Sequence, residues 1–332
     1  MSSRIIAEID YDKDGKQVGW LGLPHSVTRS AYGKIMIPVA VIKNGKGPTV
    51  YFQAGNHGDE YEGQIALVKL IRELDPAQIQ GRVIVVPAAN FPAAMAGTRV
   101  SPIDEGNLNR AFPGDPDGTV TEQIAYYIDS VLFPMADLFH DLHSGGSSLQ
   151  YVPFCSMHEI PDSPLNAKCL AALEAFAFDI ALIWRPAKPD ARFAPVAAMK
   201  RGVPALGGEF GGGGRVDPHA LAKVERGLRR ELVHMGLMEK PKDWASAPKP
   251  RRMAVPGQDW YVYAPAPGLF EPAVALGATI RAGDLCGHVH FVDDPARPAV
   301  PCHFKKDGFV ICQRHYGRVE RGDCVAHLAV DV

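Results

Sequence analysis

From Thr49 to about Gly236 the chain alternates short unbroken apolar runs with stretches whose apolar residues recur every three to four positions. The runs Val50–Ala54, Val83–Pro87, Asp137–Leu142, Ile180–Trp184 and Pro204–Glu209 predict strands. Glu62–Leu74, Glu122–Val131, Leu165–Phe178 and Pro218–Met235 predict helices. Strands that are apolar throughout belong in a sheet covered by helices on both faces, so the alternation predicts an α/β fold. Lys240–Pro256 breaks the pattern: it is rich in proline and basic residues, has no periodicity, and reads as a linker or domain boundary. Beyond it helical periodicity vanishes. The chain thus divides into an α/β unit over residues 1–245 and a small all-β unit over 257–332.

The C-terminal unit carries a weak internal repeat. Gly268-Leu269-Phe270, Gly277, Ile280 and Gly283-Asp284 recur as Gly308-Phe309-Val310, Gly317, Val319 and Gly322-Asp323. Glycines at fixed offsets between short β-type runs predict two similar strand-and-turn halves closing one module. The pattern resembles the biotinyl/lipoyl hammerhead, but no Met-Lys-Met attachment site is present, and Lys305-Lys306 reads as a solvated turn.

Composition narrows the partners. The chain has 332 residues and a formal net charge of −2, with acidic and basic residues dispersed, which argues against a nucleic-acid or membrane surface and for a small-molecule substrate. Six cysteines at wide spacings, with no CxxC pair, suggest reduced packing thiols rather than a zinc ribbon or a disulfide framework. No stretch approaches 18 consecutive apolar residues, and Met1–Tyr11 lacks a basic flank before an apolar run. The expected location is the cytoplasm; a homo-oligomer is left open.

Candidate chemistry concentrates where predicted strands end, the usual position of ligand crevices in α/β sheets. A catalytic zinc takes three protein ligands and leaves a position for water. His57 and Glu60 converge at a strand-to-helix corner, and His143 follows the strand ending at Leu142, so these three form the candidate ligand set. Period-two geometry puts Asp141 on the face of His143 and turns His140 away; Asp141 is then placed to orient a histidine ligand. Glu209 ends another buried strand among glycines. An acid there is costly unless it works, and a carboxylate facing the reactive water explains it as general base. The run Gly211–Gly214 lacks the Gly-Lys-Ser/Thr of a phosphate loop and is assigned to close packing or loop mobility. Arg99 and Arg110, in a stretch poor in regular structure, suggest a carboxylate clamp and an oxyanion donor.

Together, His57-Gly-Asp-Glu60, Asn107-Leu-Asn-Arg-Ala-Phe-Pro-Gly114, Asp141-Leu-His143 and Gly208-Glu209 resemble the succinylglutamate desuccinylase/aspartoacylase family of zinc carboxypeptidase-like enzymes over most of the chain. The resemblance implies a zinc carboxypeptidase-like α/β/α domain with a mixed sheet, followed by a small all-β domain of barrel-sandwich or hammerhead type. It further implies one zinc per chain held by His57, Glu60 and His143, carbonyl polarisation by Arg99, substrate carboxylate binding by Asn109 and Arg110, and Glu209 as base. The substrate is expected to be a small N-acyl amino acid. Within the family, the Asn107 and Asp141 segments look most like the bacterial deacetylases of ectoine breakdown, which act on an N-acetylated diamino acid. Aspartoacylases usually carry Asp-Leu-Asn-Arg where this chain has Asn107-Leu108-Asn109-Arg110.

Other readings remain. The same groups would serve another N-acyl amino acid or a peptide bond, with pocket shape deciding. Gly55-Asn56-His57 and Gly287-His288-Val289-His290 mimic fragments of binuclear metallophosphoesterases, but in the wrong order. A carrier module on an inactive scaffold would leave the complete ligand set unexplained.

Overall fold

The computed structural model describes residues 2–186, 188–242, 244 and 249–332. Its centre is one large mixed sheet. From one edge, the strand order is Ile6–Ala7, Gly15–Pro24, Lys34–Asn44, Gly81–Val86, Thr49–Ala54, Leu138–His143, Ala205–Glu209, Phe154–His158, Ile180–Trp184 and Arg251–Val255. It continues into the C-terminal region through Cys324–Asp331, Gly308–Arg314 and Thr279–Ile280. Thr49–Ala54 runs parallel to Gly81–Val86 and to Leu138–His143, which in turn runs parallel to Ala205–Glu209. Phe154–His158 enters antiparallel to Ala205–Glu209 and parallel to Ile180–Trp184.

Burial explains the apolar runs. Every residue of Thr49–Ala54 and of Leu138–His143 is buried, since helices flank the sheet on both faces. Tyr61–Glu73, Asn166–Phe176 and Pro218–His234 lie side by side on one face. Ala194–Lys200 covers the other face over Leu138–His143, Phe154–His158 and Ala205–Glu209, bringing Pro195 against Gly207. The predicted helix Glu122–Val131 is a shorter α-helix, Val120–Tyr127, continued by a π turn at Ile128–Leu132.

Two expectations need correction. The hairpin Gly15–Pro24/Lys34–Asn44 has no counterpart in the sequence-based prediction, yet it pairs along its full length and extends the sheet. The stretch read as a linker falls partly outside the described residues, and its described end is not a linker. Arg251–Val255 is a strand, parallel to Ile180–Trp184 and antiparallel to Cys324–Asp331. It carries the sheet from the α/β region into the β region, so the two share backbone hydrogen bonds.

The internal repeat folds as two matching halves. Phe270 N–H donates to Gly317 O at 2.7 Å, and Val310 N–H donates to Ala278 O at 2.9 Å. Each Gly-Asp turn closes alike: Asp284 accepts from Arg281 N at 2.7 Å and Asp323 from Glu320 N at 2.9 Å. Gly283 and Gly322 both have φ of +93°, a conformation that favours glycine. The halves enclose a core of Phe270, Ile280, Val310 and Val319. A separate four-stranded antiparallel sheet, Val300–His303, Leu285–His290, Gly268–Pro272 and Arg318–Val319, completes the region. Lys306 lies over the Trp260 ring at 5.5 Å. Among the described residues, no helix is long and apolar enough to cross a membrane, and all six cysteines are free thiols, five of them buried.

Candidate active site

Three strand ends build the site. Thr49–Ala54 stops at Gly55, whose φ of +64° turns the chain sharply, and Gly58 then fits where no side chain can. A Cβ on Gly58 would stand 2.0 Å from the Ala93 carbonyl, while its N–H donates to Thr98 O at 2.8 Å. Gly58→Ala must therefore part this corner from the segment bearing Arg99. The expected cost is about 1–3 kcal/mol, seen as a melting temperature lower by roughly 2–4 °C per kcal/mol in a thermal scan.

Glu60 occupies the N-cap of Tyr61–Glu73, where an acid ordinarily accepts from its own helix. It makes no side-chain capping bond; its carboxylate turns to two imidazoles instead. His57 Nδ1 lies 2.7 Å from Oε1 and His143 Nδ1 lies 2.8 Å from Oε2, while Ser144 N–H donates to Oε2 at 3.1 Å. Behind the rings, His57 Nε2 is 3.1 Å from Asn107 Oδ1 and His143 Nε2 is 2.8 Å from Asp141 Oδ2. Those oxygens only accept, so each Nε2–H donates to its partner, and each Nδ1 is left facing Glu60, a carboxylate that also only accepts. Two Nδ1 atoms then share one carboxylate, an arrangement that needs a cation, either a proton on nitrogen or a metal ion. The three ligand atoms lie within 4.8 Å of one another and all three residues are buried, so the donor set fits a metal with nitrogen and oxygen preferences.

Asp141 is itself fixed. Gln53 Nε2 donates to Oδ1 at 3.1 Å and Asn56 Nδ2 to Oδ2 at 2.8 Å. His140 points the other way, as strand periodicity requires, and pairs with Glu231 at 2.9 Å in the opposite layer. Burial alone would lower the His143 pKa, but Asp141 and then Glu60 outweigh it and hold it well above the usual imidazole range. For His57 burial prevails, and its pKa falls despite Glu60.

Glu209 ends its strand in register with His143. Its Oε2 is buried with no hydrogen-bond partner. Burial first, then the charge of Glu60, drives its pKa well above the carboxylate range, against the pull of His143 and Arg99. Arg99 is half exposed, with Nη1 at 3.4 Å from both His57 Nδ1 and Glu60 Oε1. Asn109 Oδ1 accepts from Ala194 N at 2.9 Å, leaving the amide NH2 as the end available to a ligand, and Arg110 lies over the Phe193 ring at 4.2 Å. Within the run Gly211–Gly214, Gly211–Gly213 form a close-packed seam: a Cβ on Gly212 would stand 2.1 Å from Leu149 O.

Of the site residues expected from the sequence, all except Asp141 line one cleft of about 890 Å³. The structure therefore gathers His57, Glu60, His143, Glu209, Arg99, Asn109 and Arg110, and sets Asp141 behind His143. His288 and His290 lie apart, on the small antiparallel sheet, where His290 pairs with Glu271. Sequence reasoning gave Asn107 no role, because its contact with His57 spans 50 positions. The departure from Asp-Leu-Asn-Arg thus sits behind an imidazole; Asn107 is not among the residues lining the cleft. Also missed were the cleft residues His158, Trp184, Phe193 and Tyr261, although Trp184 closes a predicted strand and that position was a usable signal.

A mixed α/β fold whose strand ends converge on a His-Glu-His cluster beside a buried acid and an arginine-lined cleft defines a hydrolase-type site. The chain belongs to the succinylglutamate desuccinylase/aspartoacylase family, whose catalytic-domain profile matches residues 46–235. It is 42% identical over 327 residues, 98% of this chain and 95% of the relative, to the N-alpha-acetyl-L-2,4-diaminobutyric acid deacetylase of Halomonas elongata. Its fold is similar to the product-bound ectoine utilization protein EutE of Ruegeria pomeroyi, with a TM-score of 0.95 and 41% identity over 99% of this chain and 100% of that one. It is also similar to a succinylglutamate desuccinylase/aspartoacylase from Rhodobacter sphaeroides, with a TM-score of 0.93 and 42% identity over 99% of this chain and 100% of that one.

Proposed function

We propose that the protein is a zinc-dependent deacetylase of small N-acetyl amino acids, with N-alpha-acetyl-L-2,4-diaminobutyrate as substrate. The observation that carries this reading is the pair of imidazole Nδ1 atoms turned onto one Glu60 carboxylate beside the unpartnered acid Glu209. The full-length relation to a deacetylase of that specificity supports it. His57, Glu60 and His143 would hold one zinc ion per chain. When bound, zinc supplies a Lewis acid that acidifies water and polarises an acyl carbonyl.

The chain's own groups do the rest. Asn109 and Arg110 bind the substrate carboxylate, the guanidinium offering two parallel N–H donors. Arg99, half exposed beside Glu60, donates to the oxygen that becomes negative as water adds to the acyl carbon. Glu209 takes the proton from that water and delivers it to the nitrogen as the C–N bond breaks, releasing acetate and the amine. In this reading the α/β unit is carboxypeptidase-like and the β unit hammerhead-like, and the β region narrows the entrance: Val255–Gln258 and Tyr261 form one wall of the cleft.

The test is a deacylation screen of the zinc-loaded enzyme against N-alpha-acetyl-diaminobutyrate, N-acetylaspartate, N-acetylornithine, succinylglutamate and ordinary peptides, ranked by kcat/KM. The acetylated diamino acid should rank first; a higher rank for succinylglutamate or for peptides rejects the assignment. The ligand shell gives a separate expectation. Asn107→Ala frees the His57 Nε2–H from its acceptor, so zinc affinity measured by chelator competition should fall roughly 10–100-fold, as for other groups that orient metal-bound histidines.

A further inference from the structure

The cleft has an inner arm that the reaction itself does not use. Its floor is Gly207, which has no side chain, and the neighbouring Ser156, in register across the sheet. Its walls are His158, Trp184 and Phe193. The His158 ring stacks on Trp184 at 6.3 Å and 24°, and Phe193 stands 5.8 Å from it, tilted by 53°. Phe193 also carries the Arg110 guanidinium, so the arm begins where the substrate carboxylate is held.

Resting on the reading proposed above, we infer that Ser156, His158, Trp184 and Phe193 form a subsite that reads the side-chain ammonium of the substrate. The α-carbon of an N-acyl amino acid carries a carboxylate, an amide and a side chain. Arg110 and Asn109 take the first, and the His57, Glu60 and His143 cluster takes the second. The third is left the arm that opens beside Phe193. The four arm residues carry no charge near pH 7; Arg185, which pairs with Glu159, and Lys188 line the same cleft. The His158 Nδ1 is buried with no partner, and an orphaned polar atom of this kind calls for a ligand or water. Burial also holds the His158 pKa down to about 4, so the ring is a neutral acceptor near pH 7. The cleft's two carboxylates outside the ligand cluster are engaged otherwise, Glu209 as base and Asp190 in a 2.7 Å pair with Arg192. An ammonium is therefore met here by the Trp184 ring, a neutral imidazole and a hydroxyl, while Phe193 holds the Arg110 guanidinium. Ring faces attract cations, tryptophan most strongly.

The experiment compares kcat/KM of the zinc enzyme for N-alpha-acetyl-2,4-diaminobutyrate and for N-alpha-acetylnorvaline, in which a methyl replaces the ammonium. Wild type should favour the amine. Trp184→Leu and His158→Leu should each shrink the preference roughly 5- to 30-fold, and Trp184→Phe should restore most of it. Biosynthetic fluorotryptophans, which keep the ring's shape while draining its negative face, should lower the ratio stepwise in the wild type and leave it unchanged in Trp184→Leu. A ratio unchanged across the leucine variants and the fluorination series overturns the inference. So does a change in acetyl-over-propionyl selectivity in its place, which would assign the arm to the acyl group. Preference for the amine side chain combined with cleavage of a different acyl group sinks the deacetylase reading and leaves this subsite standing.

Discussion

Glu209→Gln should lower kcat by roughly two to four orders of magnitude, the range of general acid/base contributions, while metal content by elemental analysis stays at the wild-type value. The exchange is isosteric, so the strand end in register with His143 keeps its shape and only the capacity to take a proton is lost. The pH profile gives a second readout. The base must be ionised, so wild-type activity rises with pH along a limb that reports the Glu209 carboxyl; in the metal-free chain burial and Glu60 push that carboxyl up. That limb should be absent from the residual activity of the variant. Stability follows the same linkage with its own sign. An acid whose folded pKa is raised loses stability as pH climbs from its unfolded value to its folded one. Metal-free wild type should therefore melt below metal-free Glu209→Gln at neutral pH and converge with it in acid. Full activity in the variant would remove Glu209 from the chemistry.

The parts of this site that the sequence made legible are those carried by local geometry. His57 and Glu60 sit three positions apart at a strand-to-helix corner, and Asp141 and His143 share a face because strand residues alternate. The strand Ile180–Trp184 has the predicted bounds because it is apolar throughout and covered on both sides. What stayed hidden depends on neighbours distant in the chain. In Lys34–Asn44, Pro38 argues against a central strand. The structure tolerates it because the ladder to Gly81–Val86 covers only Ala40–Asn44, so Pro38 has a single strand neighbour and its missing N–H breaks no second ladder. Phe154–His158 follows Pro153, mixes Cys155 and Ser156 into five residues, and enters antiparallel among parallel strands, so neither period nor composition marks it. Arg251–Val255 hides behind a proline- and lysine-rich approach, and it is a strand because Ile180–Trp184 and Cys324–Asp331 offer open ladders on either side. The same logic applies to Asn107. Nothing local distinguishes it from a loop asparagine until the fold carries it to His57.

Metal loss should separate two histidines that stand three positions apart on one strand. His143→Ala removes one of the ligand atoms clustered within 4.8 Å, and the two that remain cannot close the site. Occupancy after dialysis against zinc-buffered solution should fall from near one per chain to near zero, and activity with it. The fold should persist, because Asp141 keeps its bonds from Gln53 and Asn56. His140→Ala should do the reverse. It strands Glu231 in the opposite layer, where both partners are fully buried, and breaking such a pair costs about 3–5 kcal/mol, yet the ligand set is untouched and metal content should hold. Protons add a further check. In the metal-free chain the charges of Asp141 and Glu60, against the effect of burial, keep a proton on His143 well above the usual imidazole range. A metal must displace that proton to reach Nδ1. Zinc binding should then release protons into a weakly buffered solution, and apparent affinity should keep climbing with pH beyond the ordinary imidazole range. Release should be lost in His143→Ala and retained in His140→Ala. Equal metal content in the two variants would place the ion away from His57, Glu60 and His143.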